Sequence, residues 1–258
     1  MTTMLTLTPT TTVMSTTTVM ALTATVTTTT DMVSSLSSAA LLRLYQLSSA
    51  ALPIGAFAYS QGLEQAVALG DVTCQASSCA WIAGMLERSV LTLDVPVFAR
   101  LYEAFDAGQV AEAQRWNDYL FAARGTAELR AEERQTGSAL VRLLSREGVE
   151  QAAPWLSHPR VTLATGFALA SVTWSAPLTE AALAYVFAWA EAQVGAATRL
   201  IPLGQSDAQR TISQLVERAA GGIERALSRT DAQLSSSAPG QVLLSALHET
   251  QYSRLFRS

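Results

Sequence analysis

Two histidines, two cysteines and one adjacent pair of carboxylates are the side chains from which this chain could build a reaction centre. Cys74 and Cys79 stand five apart, on different faces of a helix, and match no strong metal-ligand spacing. They read as two small buried residues. His158 sits beside Pro159 in a loop and His248 lies on the last helix, so the four do not specify a metal centre. Glu132 and Glu133 are sequence neighbours and point apart on a helix. Neither Gly137-Ser138 nor Ser60-Gln61-Gly62 forms a nucleophile elbow. All seventeen basic residues are Arg; without Lys the chain cannot itself be a P-loop GTPase. The set therefore reads as a protein that binds other proteins, with no catalytic residue, metal site or cofactor of its own.

The stretch that organises the chain is Leu47 to Val67. A small, apolar run leads into Pro53-Ile54-Gly55, a fixed φ beside a permissive one, which marks a turn. Beyond it Phe57, Leu63 and Val67 alternate with Tyr59, Ser60, Gln61 and Glu64. Read as a helix, this pattern packs Phe57 and Leu63 inward and leaves Tyr59, Ser60, Gln61 and Glu64 partly exposed. Gly55 and Gly62 leave bare backbone that another surface can approach.

A chain of 258 residues, 49% hydrophobic, can bury one large core. A net charge of −4 lacks the footprint of a nucleic-acid binder. Two cysteines make no disulfide framework, so the cytoplasm is the natural compartment. Residues 1–30 hold sixteen Thr and no charge, unlike a secretory signal. Residues 1–33 read as a disordered leader, or as upstream sequence translated ahead of a start at Met32, and residues 34–258 as one domain. The window from Arg160 to Glu180 is uncharged inside, but its Thr, Ser and Pro content makes it a buried helix, not a membrane span.

Helical periodicity and breakers set the remaining elements. Ser37 or Ser38 caps a helix to about Leu47. Asp71 or Thr73 starts another that carries Trp81, Met85, Leu86 and Val90. Asp94 and Pro96 open a short helix through Phe105. A long stretch from Val110 to Arg146 is interrupted at Gly125. Its middle, Ala123 to Arg134, is the most charged part of the chain and reads as a solvated face. Pro177 ends the buried helix, and Thr179 caps Glu180 to Leu200, whose Tyr185, Phe187 and Trp189 make it a central core helix or a subunit interface. Ser206 or Asp207 caps the next, and Gln241 begins the last. With no strand pattern after residue 33, the class is all-α, about nine or ten helices.

Several separated segments now resemble one family. Leu52-Pro53-Ile54-Gly55-Ala56-Phe57-Ala58-Tyr59-Ser60-Gln61-Gly62-Leu63-Glu64 resembles the signature of the urease accessory protein UreF, with Ala58 where Ser is common. Glu128-Leu129-Arg130 with Gln135 and Gly137 resembles its charged helix. His158-Pro159, Gln193 to Gln205 with Gln209, and the ending Tyr252-Ser253-Arg254-Leu255-Phe256-Arg257-Ser258 follow in order, so the likeness spans residues 36–258. The resemblance implies a helical, non-enzymatic chaperone, usually dimeric. Such a chaperone joins UreD (UreH in some organisms) and the nickel-binding GTPase UreG on apo-urease. It couples the GTPase state to nickel delivery, and nickel passes through a channel in the complex.

Three expectations follow about surfaces. Pro53, Gly55, Tyr59, Ser60, Gln61, Gly62 and Glu64 bind a partner, with Tyr59, Ser60, Gln61 and Glu64 on the UreG-facing surface. Tyr252, Arg254, Leu255, Phe256 and Arg257 form a tail that is mobile alone and orders on UreD. Tyr185, Phe187 and Trp189 lie in a homodimer interface. Against this stand a helical small-molecule enzyme with a buried polar pocket, for which few titratable groups converge, and a transcription regulator, for which the basic recognition helix is missing.

Overall fold

Ser37 accepts the N–H of Ala40 and opens the first helix, α1 (Ser38–Ser48). The computed structural model describes residues 36–257; the Thr-rich leader over residues 1–33 lies outside the described residues. Nine more α-helices follow: α2 (Leu63–Ala68), α3 (Gln75–Met85), α4 (Val95–Asp106), α5 (Val110–Ala123), α6 (Ala127–Arg146), α7 (Leu163–Thr173), α8 (Leu178–Leu200), α9 (Gln205–Leu227) and α10 (Pro239–His248). The class is all-α, with no strand among the described residues.

The core forms where α4 crosses α5, α7, α8 and α9. Phe98 is stacked on Tyr185, with centroids 5.3 Å apart, and meets Phe167 edge-on. The uncharged helix α7 is buried along nearly its whole length. Its 11 residues span only about 16 Å, half a bilayer core. No described helix is long and apolar enough to cross a membrane.

Asp94 does not cap a new helix. Its backbone is already helical, and α3 runs through a π-helical segment, Leu86–Asp94, into α4. Pro96 explains the wide turn: it has no N–H to return, and the Thr92 carbonyl instead accepts the N–H of Ser235 at 3.2 Å. The Arg88 carbonyl likewise accepts Ser237 N–H at 2.9 Å. The carboxylate of Asp94 is thus free for another task. Elsewhere, Thr126 caps α6 by accepting Leu129 N–H at 3.2 Å, so the α5–α6 break falls at residues 124–126, around Gly125 as expected. At Gly137 the backbone of residues 161–162 crosses so closely that an added Cβ would lie 2.2 Å from the Val161 oxygen.

Candidate functional site

The segment from Leu52 to Glu64 does not continue as a helix after its turn. Pro53 is exposed and Gly55 takes a positive φ of +79°. One short 3-10 turn, Ala56–Ala58, follows, and then extended backbone at Tyr59. Gln61 and Gly62 both take positive φ before α2 begins. Helical spacing therefore fails here, and exposure is largely the reverse of expectation. Phe57 is 62% exposed, whereas Tyr59, Ser60 and Glu64 are buried. Leu63 packs inward as expected, and Gln61 is half-buried. Gly62 answers a double demand: its φ is +87°, and an added Cβ would lie 3.2 Å from Gln241 O and Ser245 N of α10.

That close approach brings α10 and the chain end onto the buried carboxylate of Glu64. Glu64 accepts the N–H of Leu255 at 2.7 Å and of Phe256 at 2.9 Å. His248, fully buried, lies between two carboxylates: Nε2 is 3.0 Å from Glu64 and Nδ1 is 2.8 Å from Glu128. For both contacts to be hydrogen bonds, both ring nitrogens donate or one carboxyl carries the proton. Arg254 completes the cluster by donating to Glu128 at 3.0 Å. Phe256 is 4% exposed under the Arg199 guanidinium, which in turn donates to the Phe57 carbonyl at 2.8 Å. Arg257 donates to Gln135, as does the Tyr59 hydroxyl, at 2.8 and 2.6 Å. Burial pushes the Tyr59 phenol up against the opposing pull of Arg257.

The expected mobile tail is corrected by these contacts: residues 254–257 are strapped onto their own domain, and Phe256 is not left bare. Tyr252 and Leu255 do stay exposed. Together with Val242, Leu243 and Leu247 of α10 they leave apolar side chains outward on an element pinned from beneath.

The charged run is not a solvated face either. Arg124 bridges Asp94 and Glu133, and both carboxylates are buried. Burial opposes the Arg124 charge, but Asp94 and Glu133 outweigh it and hold the guanidinium well above its usual range. Glu133 also accepts the Leu163 N–H at 2.9 Å, at the start of α7. Glu132 turns the other way and accepts from Gln61 at 2.9 Å, and Gln61 accepts the Trp189 indole N–H at 3.0 Å. Burial raises the Glu132 carboxyl to about 8, with the Gln61 hydrogen bond opposing and Glu133 adding to the rise.

Of the three aromatic residues expected at an interface, Tyr185 is a core residue, 6% exposed, with its phenol raised by burial and by Asp94 and Glu133. Trp189 is half-buried, and Phe187 is exposed. Cys74 is also exposed rather than buried; Cys79 is buried as expected. Among the described residues no group of three His, Cys, Asp or Glu is placed to hold a metal ion. His248, Glu128, Arg124 and Asp94, which organise both networks, escaped sequence reasoning because their partners lie far along the chain. The one local signal was three acids and three Arg crowded into residues 124–134, more charge than a short solvated face needs.

Among the described residues these two networks hold the chain end, α10 and the signature turn in place. A family model named UreF matches residues 72–216. A urease accessory protein UreF from Alkalilimnicola ehrlichii is 43% identical over 216 residues, covering 84% of this chain and 95% of that protein. One from Pseudomonas putida strain W619 is 45% identical over 222 residues, covering 86% of this chain and 99% of that protein. One from Klebsiella pneumoniae subsp. pneumoniae is 44% identical over 217 residues, covering 84% and 97%.

Proposed function

Because the chain belongs to the UreF family of urease accessory proteins, we propose that it acts as a non-enzymatic chaperone in the cytoplasm, assembling with UreD (UreH) and the GTPase UreG on apo-urease. In that assembly it promotes nickel insertion and ties the GTPase state to metal delivery. The observation that carries this reading is the outward apolar side of α10 and the tail: Leu243 60%, Leu255 63% and Tyr252 104% exposed, on a segment anchored from below by Glu64, His248 and Glu128. Apolar side chains displayed on a rigid base suit protein docking, since little ordering entropy is lost on binding.

UreD is the partner assigned to this face. The UreG-facing surface is assigned to the signature turn, with Pro53, Phe57 and the half-buried Gln61 as its accessible members, while Gly55 and Gly62 shape it and Tyr59, Ser60 and Glu64 support it from beneath. The homodimer is assigned to the exposed side of α8 at Phe187 together with α1, which packs on α8 and leaves Leu42 and Tyr45 outward.

The test is co-purification with UreD. Leu243→Asp and Leu247→Asp together place two charges on exposed positions, where substitutions normally change stability by less than about 0.5 kcal/mol. The double variant is expected to melt like the parent and to lose UreD. Retained UreD binding at parental levels would move the docking surface elsewhere.

A further inference from the structure

Arg134 and Arg142 on α6 are exposed, and among the described residues neither enters an ion pair or a side-chain hydrogen bond. Their own helix offers them no partner, because no Asp or Glu stands three or four residues from either one in either direction. Elsewhere the chain pairs its guanidinium groups, as in Arg100 with Asp231, Arg115 with Glu112 and Arg218 with Glu87. The two unpaired groups line an open cavity of about 550 Å³ between α6, the signature turn and the chain end, and Arg257 lines it with them. No Asp or Glu belongs to that lining.

Arg257 is fixed in place there. Its backbone N–H donates to the Ala58 carbonyl at 2.8 Å and its guanidinium to Gln135 at 2.8 Å. Arg134 acts on the same spot, since its charge and that of Arg257 both pull the Tyr59 phenol down against burial. Three positive charges therefore border one space, whose lining also includes the apolar Pro53, Ile54 and Ala139. The chain as a whole has the opposite sign, −4. Guanidinium forks match carboxylates bidentately, and apolar lining suits the methylenes that carry a Glu carboxylate. A nucleic acid fits less well. Its charge recurs about every 1.7 Å along the duplex axis and would run out of the cavity over a chain of net negative charge.

We propose that this cavity is a docking site for an acidic segment of a protein partner, whose carboxylates pair with Arg134, Arg142 and Arg257. The partner's identity as UreG rests on the assignment of the signature turn to that protein, since Pro53 and Phe57 line the same cavity. Exposed ion pairs add little net affinity, so the three Arg chiefly speed encounter and fix register.

The test uses the full chain and two probes, fluorescein-labelled decaglutamate followed by anisotropy and UreG followed by surface plasmon resonance, each at 20 and 500 mM NaCl. Arg134→Glu with Arg142→Glu reverses two charges at exposed positions, and a thermal melt shows that the variant is folded. Arg88→Glu with Arg225→Glu, also exposed, makes the same change in net charge outside the cavity. At 20 mM salt the first pair should weaken peptide binding and slow UreG association at least about tenfold each, and the second pair should change either by less than about threefold. At 500 mM salt the gap should close to about threefold or less, because screening shortens the reach of exposed charges. No peptide binding by the parent, unchanged peptide binding in the folded Arg134→Glu/Arg142→Glu protein, an equal loss in the control pair, or tighter binding of a labelled oligothymidylate of equal charge would each overturn the proposal. Lost peptide binding with unchanged UreG association would uphold the acidic-segment site and remove UreG as its partner.

Discussion

Replacing Glu64 by Ala should detach the chain end and destabilise the whole domain. The carboxylate serves the N–H groups of Leu255 and Phe256 at 2.7 and 2.9 Å and lies 3.0 Å from His248 Nε2. Each donor left buried without a partner costs about 1–3 kcal/mol, so three would cost roughly 3–9 kcal/mol if nothing relaxed. The two tail amides escape part of that cost if the tail peels into water. Phe256 then leaves its site under Arg199 and gives up about 1.5–3 kcal/mol of burial. His248 remains stranded in either case, because α10 is held by its own packing. A net loss of about 3–5 kcal/mol follows. In a domain of this size each kcal/mol moves Tm by about 2–4 °C, so the melt should fall by roughly 6–20 °C. Hydrogen exchange should show the Leu255 and Phe256 amides unprotected in the variant and protected in the parent. A melt within 2 °C of the parent (the scatter expected of about 0.5 kcal/mol), with both amides still protected, would refute the latch.

Gly137→Ala should fail to fold or lose several kcal/mol, about 3 or more, because the new methyl would lie 2.2 Å from the Val161 oxygen; soluble yield and circular dichroism check this. Glu132→Gln should stabilise the domain increasingly with pH. The parent carboxyl holds a proton in the folded state up to about 8 but loses it near 4.5 when unfolded, so parent stability falls through that window. The deficit is on the order of 3 kcal/mol at pH 7, and urea melts of both proteins at pH 5 and 7 should show the gap opening. Replacing Phe187 by Asp should convert a homodimer into a monomer in light scattering without lowering Tm. A parent that is monomeric across micromolar concentrations would remove the dimer assignment.

Helices with strong periodicity or clear punctuation were legible in the sequence. Ser37 and the buried, uncharged α7 lie where cap and pattern rules put them, and the α5–α6 break falls around Gly125. The π-helical run into α4 was not legible, because Asp94-Pro96 has the composition of a helix start while its backbone is already helical. The signature was misread for a related reason. Its apolar spacing fits a helix, but positive φ at Gly55, Gln61 and Gly62 breaks the helical register, and Phe57 lies outward and Glu64 inward. Burial of the charged run depends on partners 30 or more residues away, Asp94 and Leu163 among them, which local charge patterning does not encode. Tyr185 looked like an interface residue because an all-round apolar helix is equally suited to a core. Phe98 on α4 decides the matter.

The proposed role of this chain, promoting nickel insertion into urease through the α10 face, is tested most directly by the nickel content of urease purified from cells that supply urease, UreD, UreG and nickel but lack their own UreF. Supplying this chain should load the enzyme with nickel, while its Leu243→Asp/Leu247→Asp form, equally abundant and folded, should leave it metal-poor. Urease equally nickel-loaded with and without this chain would contradict the account.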